Sequence, residues 1–328
     1  MPSVVDNYAA IGEESTYGTP VATPAIIQTT SDNWEVTSQT FTNEGYHPGK
    51  QAVIDIQHDT IITGATGDIS TFIFDKGMGL FLKHVLGSSS VAPLASVTGA
   101  HTQTFETNSD GPTTSYTIQL NKVDADSTNR IYTYNGCIPT GFDFSLARDA
   151  EPTVTINYDS SAEVISSATT TLATVAARPY TWRNFSMEIN NAAIEEIYSF
   201  NLTGNLNMKT DRYYLKGNAR KAKPVRMGVP EFTGTFEADL VGDTAAVYSL
   251  FLAGTPVKVV VTGVHDNVIT GSTYPKFTLT MEKCVFTGTT PKSNLGDLST
   301  VSLPFMALWD KTNPVVKLEL ITSDDDLS

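Results

Sequence analysis

Histidine, cysteine, serine and the carboxylates are the side chains from which an enzyme or a metal site would be built. In this 328-residue chain their spacing builds neither. The five histidines are His47, His58, His84, His101 and His265. No two stand four apart, and none has a cysteine or carboxylate at metal-ligand spacing. Lys76–Gly79 (KGMG) is glycine-rich but lacks the phosphate-cradling pattern of a P-loop or dinucleotide site. No GxSxG elbow occurs. Cys137 and Cys284, the two cysteines, are separated by 146 residues, so one bridge is conceivable and a disulfide framework is not. Each is flanked by apolar residues and reads most simply as a small buried hydrophobe. The run Asp324–Asp326 could attract a cation but reads as a solvated tail. These residues predict no catalytic residues, no metal, no cofactor and no enzyme.

One charged feature stands out. The segment KTDRYYLKGNARKAKPVR holds Lys209, Arg212, Lys216, Arg220, Lys221, Lys223 and Arg226, seven of the chain's 21 basic residues. With 35 acidic residues the formal net charge is −14, and the pI is near 4.7. That balance excludes a protein that grips nucleic acid by its phosphates or adheres to anionic membranes. The loop can then be a solvated face, a small nucleic-acid patch, or a surface that docks on the acidic exterior of a neighbouring copy. The last is favoured, because complementary charge sets orientation at interfaces.

The elements that position these residues are mostly strands. Only 17% of residues are charged, against about 25% in a typical domain, which suits β-structure better than exposed helices. Strand patterns cover Gln51–Thr63, Gly67–Phe74, Thr114–Val123, Gly141–Leu146, Pro152–Tyr158, Phe185–Ile189, Tyr198–Met208, Phe232–Asp239, Pro256–Val264, Tyr274–Met281, Ser299–Pro304 and Val315–Ile321. Tyr116, Ile118 and Leu120 alternate with polar residues, as do Val154, Ile156 and Tyr158, the mark of an antiparallel sheet with one wet face. Two helices are predicted. Asp75–Leu86, capped by Asp75 and ended by Gly87, carries Met78, Phe81, Leu82, Val85 and Leu86 as its apolar stripe. His84 falls opposite or beside the stripe, in a solvated or capping role. Asp243–Ala253, capped by Asp243 and closed by Gly254, carries Val247, Leu250 and Phe251. Asn191–Tyr198 is a weaker helix or a turn.

These helices expose an internal repeat. Gly67 and Gly234 differ by 167 positions, and so do Gly87 and Gly254. Downstream, YNGCIPTG at Tyr134–Gly141 matches MEKCVFTG at Met281–Gly288, with an offset of 147. The first half therefore holds about 20 extra residues, which the Ser/Gly/Pro-rich Ser88–Pro112 can accommodate. The division is an N-terminal arm over 1–24, a unit over 25–160, a linker over 161–180 of Ser/Thr/Ala composition, a second unit over 181–322 and an acidic tail over 323–328. The arm has little apolar surface and is expected to order only against a neighbour. The first residues lack the basic and apolar regions of a signal peptide.

The arm segment Ala10–Pro24 (AIGEESTYGTPVATP) resembles the N-terminal arm of phage tail tube proteins, often written E-x-x-x-G-T-P. The glycine strand, short helix, Gly87 and the Tyr134–Cys137 strand resemble the same family's core. The resemblance implies an all-β fold with short helices: two tandem tube-type β-sandwich or barrel domains, each with one flanking α-helix. It implies a structural virion protein, located in the tail and assembled in the host cytoplasm, whose rings stack into a hollow tube that conducts DNA during ejection. Its partners would be other copies of itself and other tail proteins at the tube ends. DNA would pass through the lumen without specific binding, and no membrane is involved. Lys209–Arg226 and its counterpart around Asn43–Val53 match the loops that bridge successive rings. Two units per chain imply trimeric rings with pseudo-sixfold symmetry, and the net charge implies an acidic lumen. The competing readings are a β-sandwich adhesin or carbohydrate-binding protein and a capsid decoration protein. Trp34, Trp182 and Trp309, widely spaced, give the adhesin little support.

Overall fold

Period-two alternation and glycine, asparagine and proline punctuation lay nearly all of the chain into strands, in a computed structural model that describes residues 7–23, 25–42, 52, 58–95, 97–166, 176–215, 220–288, 291–292 and 298–327. In the first half the strands are β1 (Tyr8–Glu13), β2 (Ala25–Ile27), β3 (Thr29–Thr42), β4 (His58–Phe72), β5 (Gly87–Pro93), β6 (His101–Thr107), β7 (Tyr116–Val123), β8 (Asn129–Ala147), β9 (Thr153–Ser160) and β10 (Ala162–Ser166), with α1 (Gly79–Leu86) after β4. The second half holds β11 (Phe185–Ile189), β12 (Ala192–Ala193), β13 (Ile197–Asn205), β14 (Met208–Lys209), β15 (Val225–Arg226), β16 (Glu231–Asp239), β17 (Val257–Val264), β18 (Lys276–Phe286), β19 (Thr300–Ala307) and β20 (Lys317–Thr322), with α2 (Gly242–Leu252) after β16. The fold is mostly β, antiparallel throughout, with two short α-helices among the described residues.

One row of strands runs β3–β4–β9–β8–β13–β16–β19–β18. Strand β8 belongs to two layers. Its C-terminal part pairs with β9 and β13, while its N-terminal part pairs with β7 and β10. The second layer of the first half is β2–β1–β7–β8–β10, and that of the second half is β12–β11–β17–β18–β20–β6–β5. A single apolar cluster fills the space between the layers and runs through both halves. Phe144 stands at the join, stacked on Phe277 with ring centroids 5.5 Å apart and edge-on to Phe200 at 5.9 Å.

The two halves repeat register for register. Gly67 faces Tyr158 across β4 and β9, and Gly234 faces Phe305 across β16 and β19. Strands β7 and β8 pair Tyr116 with Cys137 and, past an irregularity, Ile118 with Tyr134. Strands β17 and β18 pair Val257 with Cys284 and, past the same irregularity, Val259 with Met281. Ile138 faces Asp159 as Val285 faces Met306. The isolated Lys292–Thr300 bridge takes the place of Ser145 with Thr153. A slip of one residue would turn every side chain to the opposite face, so shared registers at three strand pairs reflect one supersecondary unit used twice. Both strand glycines lie under an aromatic ring: a Cβ on Gly67 would sit 2.5 Å from Trp34, and one on Gly234 would sit 2.4 Å from Phe305. Both helix-ending glycines have positive φ, 87° at Gly87 and 62° at Gly254.

Several expectations change. Helix α1 starts at Gly79 rather than Asp75, and its N-cap, Met78, makes no side-chain cap. Asp75 instead accepts a hydrogen bond from the Arg178 N–H at 2.7 Å, tying the start of the second half to the first. In α2 the capping atom is Thr244 Oγ1, which accepts from the Val241 N–H at 2.8 Å; Asp243 sits in the first turn. Asn190 and Asn191, with φ of 53° and 63°, form the two-residue turn between β11 and β12, so 191–198 holds no helix. The arm is not left free: β1 pairs with both β2 and β7, and Ala9, Ala10 and Ile11 are buried. Within the tail, Asp324 Oδ2 accepts from the Gly77 N–H at 2.7 Å, the Asp326 carbonyl accepts from Gln103 Nε2 at 2.6 Å, and Leu327 packs on the core. A run that reads as solvated is docked against the start of α1. The extra residues at 88–112 form the β5–β6 hairpin, which covers α1 and extends β20. Of the strand expected over 51–63, residues 58–63 lie in β4, and 51 and 53–57 fall outside the described residues. So do 167–175 of the Ser/Thr/Ala stretch.

Candidate functional site

Because the registers repeat, the informative region is the seam where the second half meets the first. There β13 lies along β8, with Ser199 opposite Ala147 and Asn205 opposite Gly141. Beyond β13 the chain leaves the sheet as the arm that carries the basic cluster. Its base is pinned by the Leu206 N–H donating to the Thr140 carbonyl at 3.0 Å. The strands β14 and β15 then hold the arm as a narrow ribbon.

The basic residues have unequal fates. Lys221 is buried and its ammonium meets the buried Asp159 carboxylate of β9. Burial raises the Asp159 pKa, and the Lys221 charge opposes that rise. A pair removed from water in this way costs desolvation but makes the join hard to open, because separating the charges strands both. Lys223 donates to the Thr113 carbonyl. Arg226 donates to the carbonyls of Asn108 at 3.1 Å and Ser109 at 2.7 Å, with its guanidinium lying against Gly111. Arg212 donates to the Lys223 carbonyl and lies near the Tyr214 ring. Lys209 pairs with Asp211 at 2.8 Å on the exposed edge, and Arg220 is exposed. Lys216 and the counterpart loop at 43–51 and 53 fall outside the described residues. Lys221, Lys223 and Arg226 therefore clamp the arm to the first half. What the arm presents outward is largely apolar: Tyr214, Leu215, Met227 and Val229 are exposed.

A second anchor holds the N-terminal segment. Glu14 is buried, no ion pair reaches it among the described residues, and four donors hold its carboxylate. Oε2 accepts from the Gly18 N–H at 2.8 Å and Ser115 Oγ at 2.7 Å. Oε1 accepts from Thr117 Oγ1 at 2.9 Å and the Gly136 N–H at 2.8 Å. Spreading the charge over four dipoles replaces its lost hydration. The spacing E-x-x-x-G thus has a structural meaning: the glutamate binds the glycine N–H four residues on, and Gly18 takes the positive φ of 72° that this turn needs. The sequence pattern marked Glu14 without revealing this role. Asp159 carried no signal at all, because its partner lies 62 residues away.

His84 is fully buried, contrary to a solvated role. Its ring stacks on Tyr116 with centroids 3.7 Å apart, and Nε2 donates to the Cys137 carbonyl at 3.2 Å. Burial lowers its pKa to about 3, so it is neutral. Both cysteines are buried and unbridged, and burial raises their thiol pKa values, Cys284 to about 12. Among the described residues no three His, Cys, Asp or Glu are placed to hold a metal ion, and no helix is long and apolar enough to cross a membrane. An open groove beside the seam is lined by Glu35, Asp68, Thr140, Asn157 and Asp159, and burial raises the Asp68 pKa.

The geometry is that of a scaffold with polar anchors at its joins. Among curated proteins none matches the chain. The family model described as phage tail tube protein matches residues 5–307, nearly the whole chain. The chain belongs to the phage tail tube protein family, a family of structural components of the virion tail.

Proposed function

We propose that this chain is the repeating subunit of the tail tube, and that three copies close each ring because every copy supplies two tube units. The observation that carries this reading is the register-for-register repeat, joined within the chain by β8 and β13. Two like units meeting side by side form a heterologous contact, which closes into a ring when its rotation divides a full turn. Six units per ring then need three chains. The domain division supporting this is a first unit over 25–160 and a second over 181–322.

Rings stack into a hollow tube through which DNA leaves the capsid. A net charge of −14 suits a conduit, since a wall of the same sign as DNA offers few sticking points. The arm with Lys209, Arg212, Lys216, Arg220, Lys221, Lys223 and Arg226 is the proposed inter-ring contact. In that role its clamped cations set the arm's position, and its exposed apolar residues meet the next ring. Other tail proteins cap the tube ends, and the chain does no catalysis. High-resolution imaging of assembled tubes tests the count. Three chains per ring are expected, and six would overturn it. The same images should show Asp and Glu outnumbering Lys and Arg on the lumen wall.

A further inference from the structure

The sequence contains a single Asn-Gly pair, Asn135–Gly136. It lies in β8 at the irregularity where that strand meets β7. Tyr116 pairs with Cys137 and Ile118 with Tyr134, so Asn135 and Gly136 together face the one residue Thr117. This is a β-bulge, which takes a residue out of the regular ladder. Gly136 has a φ of 67°, and a Cβ there would sit 2.7 Å from Ser161 Oγ, so the position calls for glycine. The fold therefore keeps glycine behind Asn135, and with it the dipeptide most prone to deamidation.

The reaction needs no catalyst. The Gly136 nitrogen, once it has lost its proton, attacks Asn135 Cγ. The new N–Cγ bond closes a succinimide ring, the Cγ–Nδ2 bond breaks, and Nδ2 leaves as ammonia, taking up the displaced proton. Water then opens the ring at either carbonyl, giving aspartate or isoaspartate, so that water is consumed and ammonia released. Each step is opposed in the folded protein. The Asn135 carbonyl accepts from the Ser161 N–H at 2.9 Å, Ser161 Oγ at 2.9 Å and Ser160 Oγ at 3.3 Å. The Gly136 N–H donates to Glu14 Oε1 at 2.8 Å. The peptide plane between the two residues is thus held at both ends, and in an extended strand its nitrogen points away from Cγ. A carboxylate is too weak a base to take an amide proton, and its charge raises the energy of an amide anion beside it. Both residues are buried, which keeps water from the ring-opening step.

We infer that Asn135–Gly136 is a site of spontaneous deamidation and that Glu14 guards it, so that docking of the N-terminal segment shuts the reaction off. The second half supplies the comparison. Strands β17 and β18 form the same bulge, and the residues in it, 147 positions on, are Glu282 and Lys283. A glutamate there has no side-chain amide to lose as ammonia. Where the first half has the segment that carries Glu14, the second half has only the turn at Asn190 and Asn191 between β11 and β12. Among the described residues of the second half no glutamate is buried. The bulge therefore forms without a buried carboxylate, and the labile pair and its guard occur together. The inference concerns the folded subunit and does not depend on the ring it enters.

The test incubates the parent protein, Glu14→Ala and Val261→Ala at mildly alkaline pH and follows Asn135 by peptide mass spectrometry. Val261 is buried in β17, so its truncation loosens the core far from the site. The parent chain in urea gives the unguarded rate. The folded parent should convert Asn135 at least ~100-fold more slowly than the chain in urea, because reaction then waits on opening of the structure. Glu14→Ala should react about tenfold faster than the folded parent, or more, with Val261→Ala near the parent. Equal acceleration in both variants would assign the protection to folding in general and overturn the role of Glu14. A folded parent that reacts at the urea rate would overturn the inference outright. Should Glu14→Ala fail to fold, hydrogen exchange of the Gly136 amide in the parent decides. Exchange only through global unfolding supports the guard, and exchange at the rate of an exposed loop overturns it.

Discussion

The first and second halves share their registers but not what lies on top of them. Helix α1 is buried along its length except at Lys83, under the β5–β6 hairpin and the docked tail. Helix α2 buries only Thr244 and Val247. Asp159 is sealed by Lys221 from the other half, while Met306 at the matching position is exposed. Strand β13 is flanked on both sides, and β3 pairs with β4 alone among the described residues. The sheet core obeys one plan because register tolerates no variation. The covering layers diverged because each answers to a different neighbour: α1 and Asp159 of the first half are covered by the chain itself and their counterparts are not, whereas among the strands it is β13 of the second half that is flanked on both sides.

Exchanging residues between matching positions tests that contrast. The largest effect is expected at the seam. Lys221→Ala leaves the Asp159 carboxylate buried and unpaired, at a cost of ~3–5 kcal/mol in chemical denaturation. Combining Lys221→Met with Asp159→Met, which copies the apolar residue of the second half, should return stability to within ~1 kcal/mol of the parent or exceed it. A double variant as unstable as Lys221→Ala would show that the pair is more than a charge-neutral plug.

His84 corresponds to Phe251, 167 positions on. The folded-state pKa of His84 is lowered from 6.5 to about 3, so the neutral ring is the stable form in the folded protein. Its contribution is complete above pH 6.5 and is lost as pH falls toward 3, at about 1.4 kcal/mol per pH unit where steepest. Denaturation midpoints between pH 7 and 4 should show this slope. The variant His84→Phe should lose that part of the slope; an unchanged slope would place the titration elsewhere.

Smaller effects separate the helices. Val85 is buried and its counterpart Leu252 is exposed. Val85→Ala should cost ~2 kcal/mol, and Leu252→Ala should stay within ~0.5 kcal/mol. Last come the terminating glycines. A Cβ on Gly87 would meet the Gly111 carbonyl oxygen at 3.0 Å, whereas one on Gly254 meets nothing within 4 Å. Gly254→Ala should cost ~1 kcal/mol for its positive φ alone, and Gly87→Ala ~2 kcal/mol. Equal costs would mean that the covering layer yields to the new methyl group.

Much of the fold was legible in the residues. Alternation located β7, β9, β11, β13, β16, β17, β19 and β20 to within a few positions but left β1, β2, β3, β5 and β6 unread, and Gly87 and Gly254 ended the helices where expected. The starts of the helices were not legible, since Asp75 and Asp243 had the right chemistry for caps and were used otherwise. The N-terminal segment looked too polar to order alone. Three small buried residues, Ala9, Ala10 and Ile11, and the four donors around Glu14 suffice to bind it. Of the candidate interface, the basic cluster was visible as composition. Which of its cations turn inward was not, because each partner lies 11 to 118 positions away.

The amino-acid sequence alone determined the β class, the repeat and the glycines that punctuate it. These follow from interactions between near neighbours: side-chain alternation along a strand, and φ values that only glycine adopts freely. The tertiary structure alone decided which surfaces are spent inside the chain. It buried His84 at a position that reads as solvated, paired Lys221 with Asp159, docked the acidic tail and, among the described residues, left β3 paired on one side only. Burial and pairing of this kind depend on which distant segment the sheet brings alongside, and no local pattern records that choice.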